Sequence, residues 1–171
     1  MQESQNVPTL TFSQARLEDA DAIFALYRRA MLAGRQNGSS NWDEDYPTRE
    51  FLAEDLALER LFVLRAGETL VAAVSLLETD DLDAEPLGWR DLRSSVPVRL
   101  CVAPEQQGRH IGELVMRHLM DYAKEQGYES MRLLAAVENL AANRLYTRMG
   151  FSCLGAVALY GEALRAYEKV L

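Results

Sequence analysis

Histidine and cysteine are scarce in this chain, which has only His110 and His118, Cys101 and Cys153. No CxxC pair and no Cys/His cluster occurs, so the usual ligand sets of a structural zinc are missing and no metal is expected. Each cysteine lies in an apolar, strand-like run, and both are expected as buried free thiols. No apolar run approaches the roughly 20 residues of a membrane span. The opening MQESQNVPTL lacks the basic and apolar regions of a secretory signal. A basic excess is missing too: the formal net charge is −8 and the pI is near 4.8. Such a chain has no global attraction for nucleic acid or an anionic membrane. These absences point to a cytoplasmic protein whose partner is a small molecule, and a cationic one would suit the charge.

What is present suffices for one packed domain. The 171 residues are 49% hydrophobic and 26% charged. Residues 1–8 are polar and expected to be flexible, with a domain over 9–171. Alternation predicts a strand over Thr9–Ala15. Asp19 or Asp21 can cap a helix carrying Ile23, Phe24, Leu26, Tyr27, Ala30 and Met31, ending near Gly34. A loop rich in turn formers follows to Pro47, with Trp42 and Tyr46 in it. Thr48 can cap a second helix to about Leu58. Leu61–Arg65 and Thr69–Leu77, with Gly67 between, read as a β-hairpin that Glu78 ends. An acidic, irregular stretch holds Trp89. After Val96–Val102, a helix from Ile111 shows Ile111, Leu114, Val115, His118, Leu119 and Tyr122 on one face and stops at Gly127. Met131–Val137 reads as a strand, Leu140–Met149 as a helix, and two strand-like runs close the chain. The order predicts an α/β fold with a mixed sheet.

The stretch Val98–Val115, VRLCVAPEQQGRHIGELV, joins a strand to a helix through a glycine-bearing loop. The first amides of a helix lack intrahelical partners and sit at the positive end of its dipole. That makes Gly108–Glu113 a candidate anion site.

Two motifs then carry a resemblance. Gln107-Gly108-Arg109-His110-Ile111-Gly112 is similar to R/Q-x-x-G-x-G/A, with His110 in place of the middle glycine. Asn139 to Phe151 reads N-x-x-A-x-x-x-Y followed by x-x-x-G-F, without departure. In this order, separated by one helix and one strand, they resemble the GCN5-related N-acetyltransferase superfamily. Trp42, Tyr46-Pro47, Asp55, Arg99 and Tyr167-Glu168-Lys169 fit the same family, so the resemblance spans about residues 9–171. It implies a mostly antiparallel sheet, splayed at the cofactor site and flanked by helices. It also implies acetyl-CoA as co-substrate. The backbone of Leu100, Cys101 and Val102 would pair with the pantetheine amides. The N–H groups of Gly108, Arg109, His110, Ile111, Gly112 and Glu113, after Gln107, would hold the pyrophosphate, with Asn139 and Asn143 nearby. A helical His110 would need no positive φ and would still offer its N–H.

The implied reaction is direct transfer of acetyl to a primary amine. An alkyl ammonium has a pKa of about 10.4, so freeing it at pH 7 costs about 4.6 kcal/mol at about 1.36 kcal/mol per unit. A base must take that proton. Glu78 is the first candidate and Glu138 a weaker one. Tyr146 stands where the family keeps a tyrosine that protonates the departing thiolate. Trp42, Tyr46, Glu78 and Trp89 are candidates for the acceptor pocket. The acceptor itself stays open: a small amine, an amino acid or a peptide, with protein N-terminal or lysine acetylation and a non-catalytic acyl-CoA-binding module as alternatives. The paired C-terminal strands resemble those through which such proteins form homodimers.

Overall fold

The computed structural model describes residues 8–36 and 42–171. The expected flexible segment therefore lies outside the described residues apart from Pro8, as do residues 37–41 of the expected loop. Among the described residues, seven strands form one sheet in the order β1-β2-β3-β4-β5-β7-β6. They are β1 Leu10–Gln14, β2 Leu61–Ala66, β3 Thr69–Leu77, β4 Ser94–Val102, β5 Ser130–Ala136, β6 Ser152–Leu159 and β7 Glu162–Val170. Neighbours are antiparallel except β4 and β5. The helices are α1 Ala20–Gln36, α2 Arg49–Ala57, α3 Ile111–Glu125 and α4 Leu140–Arg148. Among the described residues no helix is long and apolar enough to cross a membrane.

Strand alternation decides how the sheet is covered. On β2, Leu61 and Val63 pack with Ile23, Leu26 and Tyr27 of α1 and Leu52 and Leu56 of α2. Phe62 and Leu64, one step out of phase, pack with Val115, Met116 and Leu119 of α3 and with Tyr146 of α4. Both faces are thus covered, which is why Leu61–Leu64 and Val71–Leu76 are buried without a break.

Several sequence expectations need correcting. A 3₁₀ turn, Leu17–Asp19, precedes α1, and Asp19 works there: its carboxylate accepts from the Arg16 amide at 2.8 Å and pairs with Arg65 at 2.7 Å. Helix α1 continues through Gly34 to Gln36, since one internal glycine costs only about 1 kcal/mol. On α3 the buried positions include Met116 and Ala123, whereas His118 is exposed. Its ring stacks on Phe12 at 5.0 Å, and Phe12 stacks on Phe62 at 5.5 Å. Cys101 is buried as expected, but Cys153 is exposed because it lies on the sheet's outer strand β6. Thr48 caps α2 as expected, accepting from the Phe51 amide at 3.3 Å.

Candidate active site

The site begins as a pairing defect. On β3 and β4, Ala73 faces Cys101 and Ser75 faces Val98, so β4 carries one residue more than β3 over that interval. This is a β-bulge, and Arg99 within it has φ 54°. The bulge aims Arg99 into the interior. Its Nε and Nη2 donate to Asp55 of α2 at 2.9 and 2.8 Å, and its Nη1 donates to the Tyr46 hydroxyl at 3.3 Å. Asp55 is fully buried and also accepts from Arg60 Nε at 2.8 Å and Ser75 Oγ at 2.5 Å. A buried carboxylate is tolerated only when its oxygens are filled in this way.

On its other side β4 parts from β5. The two strands pair only at Ser94 with Ser130 and Ser95 with Met131. Beyond that they diverge, and the edge of β4 from Val96 onward has no neighbouring strand there. Two cavities occupy the opening. One, of about 750 Å³, is lined by Val98, Arg99 and Leu100 of β4, Leu134–Ala136 of β5 and Tyr146 of α4. The other, of about 830 Å³, is lined by Leu100, Cys101 and Val102 and by the loop leading into α3. Trp42, Leu100, Asn139 and Ala142 line both, so the two adjoin.

The loop into α3 brings Gln107, Gly108, His110, Ile111, Gly112 and Glu113 to the second cavity, while Arg109 is exposed and does not line it. His110 departs from expectation. It caps α3 in the left-handed region, φ 59° and ψ 24°, and Gly108 has φ 79°. The chain therefore makes the turn that glycine makes freely, with a side chain that tolerates it at some cost. Gly112 is required for neither turn nor clash relief. A Cβ there would meet only Leu145 Cδ2 at 3.6 Å and Val102 Cγ2 at 3.8 Å. Glu113 stands in the first turn of α3, where it accepts from Arg117 at 2.7 Å and Arg148 at 3.2 Å.

Tyr146 is 9% exposed and packs edge-on against Phe151, with ring centroids 5.7 Å apart. Asn139 caps α4, its side chain accepting from the Ala142 amide at 3.1 Å. Asn143 is buried and does not line either cavity. Its amide donates to the Ala136 and Asn139 carbonyls at 2.9 and 2.8 Å and accepts from the Tyr167 hydroxyl at 2.5 Å. It ties α4 to β5 and β7, and its hydrogen-bonding capacity is largely used in doing so.

A sequence model of the acetyltransferase (GNAT) family matches residues 20–151. The chain belongs to that family. A streptothricin acetyltransferase of Streptomyces lavendulae is 41% identical over 71 residues, which are 41% of this chain and 38% of that protein. The match thus spans well under half the length of that relative. Among solved structures, a GNAT family acetyltransferase from Streptococcus agalactiae 2603 superposes with a TM-score of 0.84 at 20% identity, covering 96% of this chain and 97% of that one. The PaiA N-acetyltransferase from Thermoplasma acidophilum, solved in complex with coenzyme A, gives 0.73 at 16% identity, over 95% and 99%. At these identities the likeness is one of fold.

In this GNAT chain the first cavity gathers Trp42 and Tyr46, two of the four residues expected at the acceptor pocket. Glu78 and Trp89 do not line it. Leu77 and Thr79, on either side of Glu78, do. Its carboxylate is 66% exposed and faces Arg93 at 3.6 Å. Trp89 donates from Nε1 to the Leu82 carbonyl at 3.1 Å, and its ring lies 5.0 Å under Arg132. Glu138 is exposed and lines the second cavity.

Residues that periodicity did not single out take their place. Asp80, Asp81, Tyr160 and Glu162 line the first cavity. The Tyr160 hydroxyl donates to Asp81 at 2.7 Å, linking the β6–β7 turn to the segment after β3. Partial burial raises the Asp80 carboxyl above its ordinary range, against the amides of Leu82 and Asp81, which pull it down. Burial pushes the Tyr146 hydroxyl up to about 12, with Tyr167 adding to it, and the Cys101 thiol up to about 12. The only sequence trace of the acidic group is the run Thr79-Asp80-Asp81 directly after an apolar strand.

Proposed function

We propose that this acetyltransferase moves the acetyl group of acetyl-CoA to a primary amine of a small molecule, amino acid or peptide by direct attack on the thioester. The observation that carries the reading is the parting of β4 from β5, which opens an unpaired strand edge between an α-helix N-terminus and Tyr146. That opening suits the group. The free edge at Leu100–Val102 offers backbone donors and acceptors to an extended amide-bearing arm, as an added strand would. The amides opening α3 at Ile111, Gly112 and Glu113 offer donors to a pyrophosphate. Acetyl-CoA supplies the activated acyl group; binding, orientation and proton movement fall to the chain.

The acceptor reaches the thioester from the first cavity, whose lining includes Leu134, Ala135, Ala136 and Tyr146. Among the carboxylates near the end of β3, Asp80 lines this cavity and Glu78 does not. Asp80 is therefore assigned the ammonium proton, directly or through water. Its raised pKa brings it nearer the working range of a general base. Tyr146 is assigned the proton that goes to the departing thiolate. With its hydroxyl near 12, delivery to a thiol of ordinary pKa, about 8.5, is uphill by about 5 kcal/mol. Desolvation raises the thiolate for the same reason, which narrows that gap.

The test has two arms. Titration calorimetry with acetyl-CoA reads binding, and a thiol-release assay over a panel of amines reads transfer. Binding with amine-dependent thiol release is expected. Binding with no transfer to any amine would leave a non-catalytic acyl-CoA module, and no binding would remove the reading.

A further inference from the structure

The lining of the first cavity divides by burial. Leu134, Ala135, Ala136, Ala142 and Tyr146 are apolar or neutral and buried or half-buried. Asp43, Asp80, Asp81 and Glu162, brought together from three separate stretches of chain, are half-buried or exposed. Arg60 and Arg99 are the lining cations, and both are committed to the buried Asp55. Among the described residues none of the four lining carboxylates has a salt-bridge partner. Three aromatic rings, Trp42, Tyr46 and Tyr160, share the same lining, and aromatic faces attract ammonium and guanidinium groups. Independently of the carboxylates, the 9%-exposed Tyr146 lines this cavity, and no hydrogen bond to its hydroxyl is found among the described residues.

A single ammonium reaching Asp80 would leave half-buried Glu162 and exposed Asp43 and Asp81 with no ion-pair partner among the described residues. We infer that the acceptor is a small molecule with a second cationic group, such as an alkyl diamine or an aminoalkyl guanidine. It is held with the reacting amine toward Tyr146 and the second charge among Asp81, Glu162 and Asp43. This rests on the acetyltransferase reading above and names its acceptor class. A cavity of about 750 Å³ is of small-molecule size. Because Tyr160 donates to Asp81 at 2.7 Å, one of the receiving carboxylates is already fixed in place, which reduces the ordering cost on binding.

The test compares amines that differ only in the second group. Diaminobutane, butylamine and 4-aminobutanoate present the same reacting amine with a cationic, neutral or anionic far end. The expected order of kcat/KM is cationic over neutral over anionic, with at least about tenfold at each step, which corresponds to about 1.4 kcal/mol per step. In Asp81→Asn/Glu162→Gln the diaminobutane-to-butylamine ratio falls about tenfold. Raising salt from 50 to 500 mM lowers kcat/KM for diaminobutane more than for butylamine. Equal kcat/KM for the cationic and neutral amines, or a ratio unmoved by the double substitution, overturns the inference. Should no amine be acetylated, the acetyltransferase reading fails and the site is still tested. Calorimetry of diaminobutane against the coenzyme A-saturated protein must then show binding that weakens about tenfold in the double variant, and no binding overturns it.

Discussion

At the scale of single residues, two side chains in the cleft have burial as the main source of their properties, and each gives a prediction. Tyr146 is held by packing against Phe151 and Tyr167, so its ring stays in place when the hydroxyl is removed. Tyr146→Phe is expected to lower kcat about 100-fold, the low end for acid catalysis, with the acetyl-CoA Kd unchanged by calorimetry. Equal turnover in the two proteins would end the acid assignment. Asp80 carries the opposite kind of test. Its folded pKa lies above the ordinary carboxylate value because burial disfavours the charge. A group with a raised folded pKa contributes stability below its unfolded pKa and loses it as pH rises through the folded pKa. At neutral pH, Asp80 is therefore a cost to the fold. Asp80→Asn should raise Tm at pH 7, show less or no gain near pH 3, and lose most of the transfer activity. The wild-type rate at subsaturating amine should climb through the raised Asp80 pKa, and that limb should vanish in the variant. A variant that is both less stable and fully active would contradict both roles. The sequence hid Asp80 for a physical reason. Strand periodicity does not continue past Leu77, so which of Glu78, Asp80 and Asp81 faces inward depends on how the chain leaves the sheet.

At the scale of elements, the loop into α3 is where sequence reading and structure both agree and part. The strand, loop and helix were legible because apolar runs, Pro104 and the helical spacing from Ile111 agree with one another. The left-handed His110 was not. Its identity argues for a helical start, yet the loop needs φ near +60° there, as Gly108 needs it two residues earlier. The motif's usual glycine at that position is thus a statement about φ, and this chain meets it without glycine. At Gly112 the reverse holds: backbone conformation is ordinary and the space is adequate for a methyl group. Gly112→Ala should therefore fold normally, with helix propensity contributing up to about 1 kcal/mol. Gly112→Asp adds a carboxylate where an anion would sit, beside Glu113. Its acetyl-CoA Kd should rise at least tenfold, the more so at low salt, with Tm changed little. Similar affinity in the alanine and aspartate variants would move the pyrophosphate away from this helix end. Asn143 shows another limit of motif reading. The pattern marks it, but what it does is lock α4 onto β5 through Ala136 and onto β7 through Tyr167.

At the scale of the whole molecule, the fold is a sheet that stops pairing in its middle. From β1 to β4 the strands are joined continuously, as they are from β5 to β6, but the two parts share only the two register pairs between Ser94–Ser95 and Ser130–Met131. The remainder of that boundary is cleft, and the chain leaves unpaired edges and charged walls facing it. The alternation of apolar residues made the hairpin and the flanking helices readable. The parting of β4 and β5 was readable only through family resemblance, because nothing in either strand's own pattern records the absence of a neighbour. A ligand that lines Leu100–Val102 on one side and Asn139–Ala142 on the other would bridge the two parts, and so would stabilise the whole chain and not only a loop. Ligand bound at 100 times its Kd contributes about 2.7 kcal/mol, and in a domain of this size each kcal/mol moves Tm by about 2–4 °C. Acetyl-CoA at that excess is therefore expected to raise Tm by about 5–10 °C. Hydrogen exchange should slow on both walls, in Leu100–Val102 and in the first turn of α4, as well as at the amides opening α3. Protection limited to the α3 loop would mean that the ligand sits on the helix end alone and leaves the central gap unbridged.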